Sequence, residues 1–373
     1  MLSNNQQAFL ALVRAGLWER EVQLLPYGEI DFNAIYRLAQ EQSVVGLVTA
    51  GLEHIVDVRP SKELILTLVG DSLQLEQRNN SMNTFIAELI EKMRRAGIYA
   101  LLVKGQGIAQ CYERPLWRAS GDIDLLLSGD NYDKAYEWFK RKGEEIEEEN
   151  PYKKHSGFII DSWNVELHGS LKGEVSHKID SVIDEVQKDT YQYGRVRTWR
   201  NGMTDVFIPS ANNDVTFVFT HILQHFFRGG IGLRQICDWC RLLWEFRETI
   251  NVDLLADRVK KMGVMSEWKA FATFAINYLG MPEENMPLYS SSPKYLRKAG
   301  MIMNIIFETG NFGHNRDFTY KNTTTFWKRM FISLTRRTGD FIKQARVFPL
   351  DACRAYQGVW KTGLGVIKKH NKL

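Results

Sequence analysis

Apolar positions along this chain follow two spacings, and the change from one to the other divides it into three stretches. Up to Ala96 they recur every three to four residues, the period of one helix face. Asp31 caps a run through Gln40, and Ser61 opens a long amphipathic stretch through Leu64, Leu68, Leu75, Met82, Phe85, Leu89 and Met93. Between Gly97 and Pro209 short strand-forming runs alternate with helical patterns. Tyr99 to Val103 and Ile123 to Leu127 read as strands, Asp130 as the cap of a helix through Trp138, and the acidic run from Glu144 to Asn150 as a solvated strand end or loop. Trp163 to His168 alternates apolar and polar, and the pair Asn201-Gly202 between two extended runs marks a hairpin. From Asn212 onward the helical period returns. The pattern predicts an α+β chain: a helical unit over residues 1–96, a core with a mixed sheet over 97–210, and a helical unit with a basic tail over 211–373 that roofs the cleft of the core.

Composition adds the scale and the setting. A chain of 373 residues with 44% hydrophobic and 25% charged residues has material for two or three packed units and a sizeable core. The four cysteines, Cys111, Cys237, Cys240 and Cys353, fall mostly in apolar helical or strand patterns, which suits a reducing, cytoplasmic setting. The start of the chain lacks a basic n-region and is interrupted by Arg14, so no secretory signal is expected, and no segment has the apolar length of a membrane span. Charge is unevenly spread. The net charge is only +4, yet from Lys321 onward Lys328, Arg329, Arg336, Arg337, Lys343, Arg346, Arg354, Lys361, Lys368, Lys369 and Lys372 face only Asp340 and Asp351. Aromatics such as Trp327, Phe331 and Trp360 interleave them at near-helical spacing. This tail reads either as the solvated face of a helical subdomain or as a contact for nucleic acid or an anionic membrane.

The chemistry concentrates between residues 99 and 168. The strand ending at Val103 runs into Lys104, Gly105, Gln106 and Gly107. Glycine lets backbone N–H groups approach a phosphate, a helix starting near Ile108 would direct its positive end there, and Lys104 supplies a point charge. On the next strand, Asp122 and Asp124 flank Ile123, so a period of two sends both carboxylates to one face. Two acids on an otherwise Leu and Ile strand are costly unless neutralised, and such a pair can hold divalent ions for in-line phosphoryl or nucleotidyl displacement. In Trp163-Asn164-Val165-Glu166-Leu167-His168 the same alternation puts Glu166 and His168 on one face, where Glu166 can lie beside the aspartates as a third acid.

With these residues in hand, the chain resembles the DNA-polymerase-beta-like nucleotidyltransferase superfamily. It is more closely similar to a bacterial nucleotidyltransferase family whose core reads K-G, a Tyr-bearing helix, R, D-I-D-L and an acidic-L-H strand. The matching positions are Lys104, Gly105, Tyr112, Arg118, Asp122, Asp124, Glu166 and His168, with His221 and Asp238 matching in the later helical region. The order Lys104, Arg118, Ser120, Asp122, Asp124 is also similar to toxin-type nucleotidyltransferases. Three departures stand out: Gln106 where the superfamily usually has Ser, Glu rather than Asp as third acid, and a long loop from Gly107 to Gly121. The resemblance implies Mg2+ (or Mn2+) held by Asp122, Asp124 and Glu166, with Glu166 helping to deprotonate the acceptor. It implies a nucleoside triphosphate, ATP among the candidates, bound by Lys104, Gly105, Gln106, Arg118, Ser120 and His168. The acceptor, whether a small hydroxylated molecule, an RNA end or a protein side chain, stays open.

Other signals are weaker. His221 and His225 share a helix face but lack the glutamate of a zinc-protease helix, and Cys237 and Cys240 form a single C-x-x-C without a second pair, so both pairs read as packed or pocket-lining. Two rival functions remain: a non-catalytic nucleotide-binding or scaffold member of the same fold, and a D-x-D metal-dependent glycosyltransferase.

Overall fold

The fold is that of a computed structural model, which describes residues 2–150, 154–228, 230–313, 315 and 325–357. Three helices come first: α1 (Asn4–Trp18), α2 (Phe32–Glu41) and α3 (Val45–Glu53). They are followed by α4 (Lys62–Arg95), 34 residues long and capped by Ser61 Oγ, which accepts from the Leu64 N–H. The central stretch comprises β1 (Ala100–Val103), α5 (Gly105–Ala109), β2 (Ile123–Leu127), α6 (Gly129–Lys140), β3 (Glu144–Asn150), β4 (His155–Ile160), β5 (Trp163–His168), α7 (His177–Gln192), β6 (Val196–Asn201) and β7 (Thr204–Pro209). The rest is helical: α8 (Ala211–Arg228), α9 (Leu233–Glu245), α10 (Val252–Met262), α11 (Met265–Leu279), α12 (Pro293–Thr309), α13 (Phe326–Val347) and a further helix over 349–357.

Strands β1 to β5 form one mixed sheet in the order β1-β2-β5-β4-β3, in which only the β2–β5 pair is parallel, and β6 and β7 form a separate hairpin. Leucines and isoleucines on both faces of β2 explain its depth in the fold: all five residues are buried. One face, with Leu102, Ile123, Leu125, Leu127, Val165 and Leu167, packs on α4, α6 and the hairpin. The other carries Leu101, Val103 and Leu126 toward the C-terminal helices.

The N-terminal helices α1 to α3 do not form a core of their own. Phe9, Leu12, Val13 and Leu17 belong to the same apolar cluster as Trp239, Trp268, Phe271 and Ile302. Trp18 Nε1 donates to Leu279 O and Arg241 Nη1 to Leu17 O across that seam. The α1–α3 crossing needs glycine on both sides, because a Cβ on Gly16 would lie 2.0 Å from Leu47 O and one on Gly51 2.2 Å from Leu12 O.

Several local expectations shift. The acidic run Glu144 to Asn150 is a full edge strand, β3, whose pairing with β4 absorbs two register shifts. Ser128, not Asp130, occupies the cap position of α6, and Asp130 sits in its first turn. The hairpin register pairs Asn201 with Thr204, so Gly202 and Met203 make the turn, with Gly202 at a φ of +60°. Lys321, Trp360, Lys361, Lys368, Lys369 and Lys372 of the basic tail lie outside the described residues. Within α13, Lys328, Arg329, Arg337 and Arg346 are exposed.

Candidate active site

The end of β1 and the start of β2 build the floor of a cleft. At Lys104 the chain leaves β1 with φ +57° and ψ −145°, a region that a side-chain-bearing residue enters at a cost of about 1–3 kcal/mol, and Gly105 follows at φ +43°. Helix α5 starts at Gly105, three residues earlier than Ile108, and spans only five residues, so its dipole is short. Asp122 immediately precedes β2 and is exposed, whereas Asp124 lies within the strand with only 2% of its surface accessible. The parallel register pairs Asp124 with Glu166 on β5. Alternation then puts both on the face turned toward the helices, and one oxygen each from Asp122, Asp124 and Glu166 lies within 4.8 Å of the others.

Two hydrogen-bond donors offset these acids. Lys104 Nζ and His168 Nε2 each stand 2.8 Å from the same oxygen, Asp124 Oδ1, and donate to it. Burial raises the Asp124 carboxyl, but Lys104 and the His168 hydrogen bond outweigh it and the net shift is downward. Burial alone would lower Lys104 and His168, yet the facing carboxylates raise both. Glu166 is held well below the usual carboxylate range by hydrogen bonds from His155 and His168. Asp122 moves the other way, raised mainly by the negative charge of Asp124, with a smaller contribution from the protein packed around its carboxyl. The site therefore keeps Asp124 and Glu166 ionised.

Helices α8 and α9 roof the floor. Phe217, Val218, His221, Gln224 and His225 from α8, and Arg234, Gln235 and Asp238 from α9, close a cleft of about 390 Å³, with Lys172 and Glu147 at its sides. His221 and His225 approach each other at 3.0 Å. Burial and then the charge of Lys104 hold both imidazoles neutral, His225 at about 4.

Not every residue expected at the phosphates faces the cleft. Gln106 is buried and turned the other way, donating from Nε2 to Asn79 Oδ1 on α4. Asn79 Nδ2 in turn donates to Leu116 O and Arg118 O, which pins the long loop against α4. Arg118 does reach the cleft wall, but its guanidinium is committed. Nε and Nη2 donate to the two oxygens of Asp238 at 3.0 and 2.7 Å, and Nη1 donates to Ala119 O and Ser120 Oγ. Tyr112, which lies beyond the end of α5 and not in a helix, donates its hydroxyl to the same Asp238 at 2.8 Å. Ser120 packs behind Gly105 and does not line the cleft. Arg114 bridges Glu19 and Glu53, so it fastens the loop to the N-terminal helices. Cys237 and Cys240 are fully buried in α9.

Residues that the motifs do not contain also line the cleft. His155 on β4 is the register partner of His168, and Arg234 enters from the first turn of α9. The only local signal for His155 is its place at the start of an extended run, which does not say what it will face.

A model of a family described as uncharacterised nucleotidyltransferase matches residues 28–280, more than half of the chain and all of the cleft lining. The chain belongs to that nucleotidyltransferase family. Membership supports a role in nucleotidyl transfer and implies a nucleoside triphosphate substrate. No curated protein matches the chain. Among solved structures, an antigenic nucleotidyltransferase-like protein from Paracoccidioides brasiliensis is similar at 16% identity over 50% of this chain and 90% of its own, with a TM-score of 0.30. No helix among the described residues is long and apolar enough to cross a membrane.

Proposed function

We propose that this nucleotidyltransferase moves a nucleoside monophosphate from a nucleoside triphosphate to an acceptor hydroxyl, using a divalent cation held by Asp122, Asp124 and Glu166. The observation that carries the reading is the β2–β5 register, which sets Asp124 beside Glu166 and next to Asp122 on the floor of a cleft. Three carboxylates of one sign, two of them kept ionised, suit an all-oxygen site for Mg2+ or Mn2+. A cation bound there would neutralise charge developing on the phosphoryl oxygens.

The chain's own residues account for the rest. Lys104, on the strained turn, is within reach of both the carboxylates and the cleft, so it can transfer its charge from Asp124 to a phosphate. Arg234 and Lys172 line the same cleft and add charge for the triphosphate, while the neutral His221 and His225 offer hydrogen bonds on the roof without repelling cations further. Arg118 acts through Asp238 as a positioning residue for the loop that carries Ser120 and Asp122. In the reaction, the acceptor oxygen bonds to the α-phosphorus and the bond from that phosphorus to pyrophosphate breaks, its electron pair leaving with pyrophosphate. The hydroxyl proton is lost to solvent or to a carboxylate. Glu166, stabilised as the anion by two imidazoles, is a weak base and better suited as a ligand. The exposed cations of α13 favour an RNA acceptor among the three classes.

The test is incubation of the protein with each nucleoside triphosphate, Mg2+ or Mn2+ and an RNA or metabolite extract, with mass spectrometry for a nucleotidylated product and a pyrophosphate assay. Asp122→Asn is the informative control, because Asp124→Ala would strand Lys104 and His168 without their shared anion. Product from wild type that vanishes in Asp122→Asn supports the reading. Nucleotide binding without turnover would favour the non-catalytic alternative.

A further inference from the structure

The floor of the cleft carries a second constellation, and one of its three members lies outside the motif. Along the antiparallel β4–β5 pair His155 faces His168 and Gly157 faces Glu166, so His155, Glu166 and His168 present their side chains on one face. Both Nε2 atoms stand at similar distances from a single oxygen: His155 Nε2 lies 3.4 Å and His168 Nε2 3.5 Å from Glu166 Oε2. A charge-assisted N–H···O contact usually closes to about 2.7–2.9 Å. Ligand atoms held at about 2.0–2.1 Å around a tetrahedral ion stand instead about 3.4 Å apart, which is the spacing of each imidazole nitrogen from the Glu166 oxygen here. One donor atom from each of the three residues lies within 4.8 Å of the other two. Glu147 Oε1, 3.8 Å from His155 Nδ1, occupies the place of the outer carboxylate that commonly orients a metal-bound imidazole.

We propose that His155, His168 and Glu166 form a separate site for a nitrogen-preferring divalent ion of the Zn2+ class, sharing Glu166 with the all-oxygen site of Asp122 and Asp124. Two imidazoles and one carboxylate are the donor set of three-ligand zinc centres, whereas Mg2+ takes oxygen. Sharing Glu166 makes the two sites neighbours and gives them different ion preferences. His168 Nε2 also donates to Asp124 Oδ1 at 2.8 Å, so filling the nitrogen site frees Asp124 from that hydrogen bond. The inference rests on side-chain geometry and stands whether or not nucleotidyl transfer is the activity.

The test uses the full chain, stripped of metal with a chelator, saturated with Mg2+ and then titrated with Co2+ as a spectroscopic stand-in for Zn2+. Wild type is expected to retain one Co2+ per chain against excess Mg2+, with the visible absorption bands of a nitrogen-ligated, low-coordinate ion. His155→Ala should lose those bands and weaken that binding event tenfold or more, since even outer partners of metal ligands are worth 10–100-fold. His155→Gln, which keeps a polar side chain but not the ligand, should do the same with an unchanged melting temperature in the absence of metal. Asp122→Asn should keep the bands. Complete displacement of Co2+ by Mg2+ in wild type, unchanged bands in both His155 variants, or equal loss in Asp122→Asn would overturn the site. Absence of nucleotidylated product with the Co2+ bands intact would refute the transfer reading and leave this one standing.

Discussion

The pairing of Arg118 with Asp238 gives a sharp test of how the cleft is held. The two residues are 5% and 4% exposed, and the guanidinium spends Nε and Nη2 on the two carboxylate oxygens while Nη1 binds the loop. Arg118→Met therefore leaves a buried carboxylate whose remaining hydrogen bond among the described residues comes from the Tyr112 hydroxyl. Removing one member of a buried pair costs about 3–5 kcal/mol, whereas replacing both by apolar residues is often near neutral. With 373 residues at about 2.1 cal/mol/K each, the unfolding entropy is about 0.8 kcal/mol/K, so the single variant should melt roughly 4–6 °C lower. Asp238→Leu should behave alike, and the Arg118→Met/Asp238→Leu double variant should recover most of the loss, a coupling of about 4 kcal/mol or more. Thermal melting and urea unfolding of the four proteins complete the cycle. If Arg118→Met melts within 1 °C of wild type and instead weakens nucleotide binding, Arg118 is a phosphate ligand and the buttress argument fails.

Glu267 on α11 is buried and, through burial and the neighbouring Asp351, is raised to about 8. Its folded value exceeds its unfolded one, so its contribution is fully present below about pH 4.5 and is lost as pH rises through 8. Glu267→Gln should flatten stability between pH 5 and 9 and exceed wild type at pH 9 by on the order of 5 kcal/mol, and a variant no more stable than wild type at pH 9 would contradict this. Gly51→Ala places a Cβ 2.2 Å from Leu12 O, so α1 and α3 must separate, at a cost of about 1–3 kcal/mol or more that urea unfolding would register. An unchanged unfolding midpoint would show the crossing to be looser than described. Asp122→Asn, at an exposed position, should abolish pyrophosphate release with a melting temperature within about 1 °C of wild type, and retained turnover would remove Asp122 from the machinery.

Local period told which residues share a face, and the chain followed it. The alternation in β2 and β5, the Ser61 and Asp31 caps, the glycine turn after β1 and the helical return at α8 were all legible, because each depends on neighbours a few residues away. The family resemblance lay in the same local strings. What local pattern lacks is the partner. Nothing in Trp163 to His168 says that β5 runs parallel to β2 with Glu166 opposite Asp124, and nothing in β4 says that His155 will stand over Glu166. Gln106 was read by its position after Lys104-Gly105, but Asn79, 27 residues upstream, holds its amide on the far side of the turn. The motif implies Arg118 as a triphosphate ligand, but Asp238, 120 residues downstream, binds it. In both cases burying a polar group without a partner costs more than any local preference, so the side chain goes where the assembled fold supplies one. The sequence alone determined the elements and the acids they carry. Tertiary structure decided which acids and bases meet, because strand order, register and helix packing bring together residues whose separation along the chain no periodicity can span.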